Sequence, residues 1–155
     1  MLIDTPVHET EVRFLRWAVA LHEIGLSISH VGFHKHAAYI LSYADMPGFS
    51  RKDQELLAQL VLGQRGKLEK LQGVDLGSPL WRLICCLRLA VLLHSSRDEH
   101  CLPAFRLRRL ENGFIFELPA DWLSTNPLSA SALNDEAQTW QRIGSTLRIK
   151  RGAVN

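Results

Sequence analysis

The stretch Leu80–Ser95, LWRLICCLRLAVLLHS, constrains this fold more than any other part of the chain. Ser78-Pro79 just before it is a strong helix start: a hydroxyl can cap an orphan amide, and proline has no N–H to leave unsatisfied. Within it, Ile84–Leu93 comes nearest to a membrane span, but it falls short of the roughly 18 residues required, and Arg88 interrupts it. A buried core helix is the better reading. Arg88 must then pair with a buried carboxylate or lie exposed at an interface, a structural role in either case. A chain of 155 residues with 46% apolar and 22% charged side chains can surround such a helix with one ordinary domain, or with a helical unit and a small appendage.

The spacing predicts further helices before it. Phe14, Leu15, Ala18, Leu21 and His22 recur at helical intervals over Glu11–Ile24, with Gly25 as the stop. Ala37, Ala38, Ile40 and Leu41 mark a second helix over His34–Ala44, which ends at Met46-Pro47-Gly48. Ser50 caps a third, Arg51–Leu62, whose apolar face is Leu56, Leu57, Leu60 and Val61. After Asp98 the pattern changes. Phe105–Arg108 alternates, Glu111-Asn112-Gly113 supplies a hairpin turn, and Phe114–Leu118 returns. Asn126-Pro127 caps a helix through about Ile143, and Thr146–Lys150 alternates again. The fold class is therefore mainly α with a small α+β appendage. A helical bundle over residues 1–98 precedes a small antiparallel sheet with a helix over 99–155.

Composition removes several functions. A formal net charge of +2 makes no case for a generic nucleic-acid binder, so any anion site must be local. Asp4, Glu9 and Glu11 precede any base, so no secretory signal is expected. Cys85, Cys86 and Cys101 show no CxxC spacing, and neighbouring cysteines on a helix diverge; buried thiols in a reducing cytoplasm follow. Trp17, Trp81, Trp122 and Trp140 are read as core, with no aromatic-plus-basic pattern for base stacking.

Four of the seven histidines lie between Leu21 and His36. His34 and His36 could share a metal on extended backbone, and His30 and His34 on a helix; Gly32 argues for a turn. Three readings stay open for this corner: hydrogen-bonded cross-links, phosphate contact by protonated imidazoles, or a metal.

Motifs along the chain resemble one family. Leu21-His22-Glu23-Ile24-Gly25-Leu26, Ile28-Ser29-His30 and Gly32–Leu41 come first. Met46–Ser50, the leucine-rich helix to Leu62, Leu87–Leu93 and Pro119–Leu123 continue in order. This chain is similar to the C-terminal region of the exopolyphosphatase and guanosine pentaphosphate phosphohydrolase family, and its His30, His34 and His36 pattern is nearer the exopolyphosphatase branch.

The resemblance implies an HD-like helical domain, N-terminally incomplete, followed by the small α+β domain. The actin-like catalytic domains of the family, with their divalent metal (Mg), have no counterpart here. It further implies that this portion binds inorganic polyphosphate, forms a homodimer, works in the cytoplasm and is not itself catalytic. The Glu11–Ile24 helix would keep an apolar surface that favours self-association. His22-Glu23 stands where an HD site has its His-Asp pair, with no acid near Val91, so the site is read as degenerate. The alternatives are a free-standing metal-dependent HD-type phosphohydrolase or a purely structural dimerisation module.

A flexible polyanion needs spaced cations rather than one deep pocket. Arg51, Lys52, Arg65, Lys67 and Lys70 surround the loop Gly63–Gly77 beside the histidine corner. Strand alternation puts Arg106 and Arg108 on one face, and Arg148 and Lys150 on one face; neighbouring strands would merge them into a stripe.

Overall fold

A computed structural model describes residues 2–3, 8–95 and 102–152. It contains six helices and four strands: β1 (Leu2–Ile3), α1 (Glu9–Leu21), α2 (Phe33–Tyr43), α3 (Arg51–Gly63), α4 (Leu80–Ser95), β2 (Arg106–Leu110), β3 (Gly113–Leu118), α5 (Ala120–Thr125), α6 (Pro127–Gln141) and β4 (Thr146–Arg151). These form two units. One comprises residues 8–67 and 78–88; the other comprises 1–7, 68–77 and 89–155. The helical part with a small α+β appendage is as the sequence predicts. None of the described helices is long and apolar enough to cross a membrane.

In the helical unit, α4 is the buried element. Every residue from Leu80 to Leu89 is buried, including both cysteines described, Cys85 and Cys86; Cys101 lies outside the described residues. Ser78 caps the helix, its hydroxyl accepting from Leu80 N–H at 3.3 Å. Gly63 brings α3 close to α4, because a Cβ there would sit 2.9 Å from Ile84. Ser50 caps α3 as expected, accepting from Asp53 N–H at 3.1 Å.

Arg82 and Arg88 carry charge into this apolar helix. Arg82 is 7% exposed and binds the Glu11 carboxylate of α1 through both oxygens. Glu11 also accepts from His8 N–H at 3.1 Å, so one carboxylate ties the start of α1 to α4. Burial pushes this carboxyl up, but the Arg82 guanidinium and the His8 N–H outweigh it and hold Glu11 below the ordinary carboxylate range. Arg88, 6% exposed, donates to the carbonyls of Gly63 and Gly66 at 2.9 and 3.0 Å. It thus satisfies acceptors orphaned at the end of α3. The alternative of an exposed interface position is overturned by that burial.

Gly25 does not simply stop α1. The helix ends at Leu21 and a 3-10 turn follows over Ile24–Ser27. A Cβ on Gly25 would lie 1.9 Å from the Phe33 carbonyl oxygen, so glycine here permits close backbone approach between that turn and α2.

In the other unit the strand order is β1-β2-β3-β4. Only β2–β3 is antiparallel; β1–β2 and β3–β4 are parallel. The expected antiparallel sheet is therefore a mixed one. The reason is the crossover: α5 and α6 carry the chain from the end of β3 back to its start, so β4 runs the same way. Phe114, Phe116, Leu107 and Leu147 form the buried face, and Phe114 meets the fully buried Trp140 edge to face at 5.5 Å. Trp140 is anchored by its indole N–H donating to Glu136 at 2.8 Å. Asn126 precedes Pro127 as expected but does not cap α6; its amide donates back to the Trp122 carbonyl at 2.9 Å. Gly113 is obligatory, with φ +144° and a would-be Cβ only 2.0 Å from the Thr146 carbonyl oxygen.

Replacing Glu11 with alanine strands a buried guanidinium, and the expected loss is roughly 3–5 kcal/mol, measured by urea unfolding. Because the folded Glu11 pKa is depressed, its contribution is complete above the ordinary carboxylate range and disappears as pH falls through the folded value. The variant should accordingly show a flatter acid limb of stability against pH than the parent chain.

Candidate functional site

Two places could meet an anion, one in each unit. In the helical unit, the end of α1, the start of α2 and the end of α3 form a corner that holds the histidines. His22 closes α1, with its Nδ1–H donating to the Val19 carbonyl at 2.7 Å. Its own carbonyl accepts from the Gln64 amide, also at 2.7 Å. The Phe33 ring lies between His30 and His34, with centroids 6.4 and 6.0 Å away, and the Arg65 guanidinium stacks 5.8 Å from the same ring.

This geometry separates the histidines as ligands. His34 and His36 stand two residues apart on α2, hence about 200° apart around it, and point to different sides. His30 precedes the left-handed Gly32, at φ 69°, and so is not on the helix with His34. His22 Nε2 lies 3.8 Å from Glu23 Oε1, a pair without a third member. Among the described residues no three His, Cys, Asp or Glu side chains gather as a metal site would require.

The first basic cluster is divided. Arg51 and Lys52 begin α3, whereas Arg65 and Lys67 follow its end, about 20 Å away along the axis. Arg51 instead borders a shallow cleft of about 210 Å³ with Ser42, Tyr43, Gln54 and Glu55. Lys70 belongs to the other unit.

The second cluster gathers on the sheet. Arg106 is opposite Glu117, and Glu117 opposite Lys150, in one row across β2, β3 and β4. Arg108, Ile115 and Arg148 form the next row, roughly 7 Å along the strands. The two pairs of cations thus share a face, but their strands are not neighbours, because β3 runs between them. That central strand adds Glu117, which alternation alone would have placed on this face once the register was known. Its Oε1 accepts from Arg108 at 2.5 Å and from Lys150 at 2.9 Å. Lys150 first, then Arg108, hold the Glu117 carboxyl below the ordinary range despite its burial. Arg148 is exposed and makes no ion pair among the described residues. Among the described residues of β2, β3 and β4, four cations and one carboxylate give this face a formal charge of +3.

A mostly helical unit, a mixed-sheet unit and two separate basic places are the frame in which the relatives can be read. Residues 3–137 match the family described as Ppx/GppA phosphatase, domain III. The chain belongs to that family. It is 40% identical over 139 residues to a guanosine-5'-triphosphate,3'-diphosphate pyrophosphatase of Aeromonas hydrophila, covering 87% of this chain and 28% of the relative. The enzyme of the same name from Photobacterium profundum is 40% identical over 145 residues, covering 92% and 29% respectively. The chain therefore spans less than a third of the length of these relatives. Both carry the guanosine pentaphosphate name, not that of the exopolyphosphatase branch towards which the histidine pattern leaned.

Removing Lys150 as Lys150→Met deletes the first cause of the Glu117 shift. The Glu117 carboxyl should then titrate at higher pH, nearer its ordinary range, as followed by carboxyl-carbon NMR, while the sheet stays folded.

Proposed function

We propose that this chain is the portion of a Ppx/GppA-type phosphohydrolase that grips the phosphate chain of the substrate and joins two copies, with the bond-breaking chemistry elsewhere in the enzyme. The observation that carries this is the β2-β3-β4 face, where Arg106, Arg108, Arg148 and Lys150 surround a single carboxylate. Cations spaced over a sheet suit a flexible polyanion, which makes many weak contacts rather than filling a pocket. Inorganic polyphosphate and the phosphate groups of guanosine-5'-triphosphate,3'-diphosphate share this chemistry. His30, His34, His36, Arg51, Lys52, Arg65 and Lys67 are secondary candidates, since the structure divides them into two places. A divalent ion such as Mg²⁺ would serve the catalytic part, and the setting would be cytoplasmic.

Self-association has support of its own. Val19 on α1 is 53% exposed, and Leu26, Ile28 and Val31 just after it are 41%, 56% and 83% exposed. Such an apolar strip favours pairing of copies. An HD-like ancestry of the helical unit fits the place of His22-Glu23 at the end of α1, which would make it the relic of a metal site. The rival reading, a free-standing metal-dependent phosphohydrolase, needs a three-ligand cluster that the described residues do not assemble.

Long-chain polyphosphate should bind the chain and lose roughly 20-fold in affinity between 50 and 200 mM salt, the loss expected when about three charges are neutralised. Replacing Arg106, Arg108, Arg148 and Lys150 together with glutamine should abolish that binding in a calorimetric titration. Binding that survives the fourfold replacement would remove the sheet face from the reading.

A further inference from the structure

The carboxylate at the centre of the basic face calls for its own explanation. A surface selected only to attract phosphate would have no acid there. Yet Glu117 sits in the middle of the row between Arg106 and Lys150, is 9% exposed, and engages Arg108 diagonally as well as Lys150. Arg108 and Lys150 are thus both held by this one carboxylate. We infer that Glu117 is the selectivity-setting residue of this face, an internal counter-anion that makes it favour condensed phosphate chains over single phosphates. The inference rests on the phosphate-gripping reading above.

Competition between Glu117 and the ligand sets the preference. A lone phosphate that approaches Arg108 or Lys150 meets a cation whose charge and one of whose donors are already engaged by a carboxylate, and it gains only that one site in return. A ligand with several linked phosphates first meets the exposed Arg148. Lys150 lies two residues further along β4, roughly 7 Å away, within reach of the same chain. Once one phosphate is anchored, the next arrives at high effective concentration and competes with Glu117 on better terms. Glu117 also holds the Arg108 and Lys150 side chains in place, which lowers the ordering cost when a ligand takes them over. The side chain is therefore a positioning group and a competitor at once: the competition penalises the monovalent ligand, and the positioning favours a ligand that engages both side chains.

Calorimetric titration of the whole chain with inorganic tripolyphosphate, GTP and orthophosphate tests this. The parent chain should bind tripolyphosphate and GTP at least tenfold more tightly than orthophosphate. In Glu117→Gln, orthophosphate should bind roughly fivefold more tightly, the upper worth of an exposed ion pair. The tripolyphosphate-to-orthophosphate ratio should shrink accordingly, and the slope of log affinity against log salt should steepen by roughly 0.7 as the face gains one net positive charge. Ile115→Glu, which adds a carboxylate to the neighbouring row, should weaken all three ligands and widen the ratio. It also provides a second readout should the glutamine variant fold poorly.

An unchanged ratio and slope in Glu117→Gln, with binding still abolished by the fourfold replacement, would overturn the role of Glu117 and leave the gripping face intact. Failure of the parent chain to bind tripolyphosphate would instead overturn the gripping face, and this inference with it. GTP binding without tripolyphosphate binding would point to the nucleoside as the recognised part and count against both.

Discussion

The helical unit depends on how it accommodates two guanidinium groups on a helix whose residues Leu80 to Leu89 are all buried. An arginine taken from water into an apolar interior costs several kcal/mol unless each donor finds an acceptor. Arg82 and Arg88 on α4 solve this in different ways. Arg82 recruits the Glu11 carboxylate from α1, and Arg88 takes the carbonyls of Gly63 and Gly66 past the end of α3. Each solution fixes a neighbouring element relative to α4. The charges therefore act less as stabilisers than as registers: a shifted α1 or α3 would leave a buried charge unanswered, and such arrangements are strongly disfavoured. Gly63 adds a steric condition, since only its missing side chain lets α3 approach Ile84.

Much of this was legible beforehand, where local chemistry decides the outcome. Ser50 and the Ser78-Pro79 pair start helices because an orphan amide needs an acceptor close in sequence. Glu111-Asn112-Gly113 turns a hairpin with Gly113 at a positive φ that other residues rarely adopt. What the sequence left open is long-range. Alternation put Arg106 with Arg108 and Arg148 with Lys150, but it could not show that β3 runs between the two strands. Nor could it show that β4 is parallel, since that follows from where α6 delivers the chain. Glu117 was invisible as a member of the basic face for the same reason: parity gives a side of a strand, and only register gives a neighbour.

The histidine segment shows the opposite case, in which density in sequence does not become proximity in space. Once α2 begins at Phe33, a two-residue spacing turns His34 and His36 apart, and the left-handed Gly32 keeps His30 off that helix. What gathers instead is Phe33 with Arg65 on its ring, joined to the end of α1 through the Gln64 hydrogen bond to His22. These contacts tie the helix ends together at this corner. Its imidazoles are half-buried or exposed around the Phe33 ring; Glu23 stands 3.8 Å from His22, and among the described residues no third ligand joins that pair.

A net charge of +2 over 155 residues and a role in handling polyanions are compatible because charge matters locally. With a Debye length of about 8 Å at physiological salt, a ligand on the sheet senses chiefly the charges of the strands beneath it, and little of the distant acids and bases. A chain with a large uniform positive charge would bind nucleic acids and membranes as readily as phosphate chains. Confining the excess to two rows of one sheet, with a carboxylate placed among them, keeps the attraction short in range and conditional on several contacts at once. On the proposed reading, specificity for a chain of phosphates would follow from spacing and competition, both set by a three-strand register that no single segment of the sequence encodes.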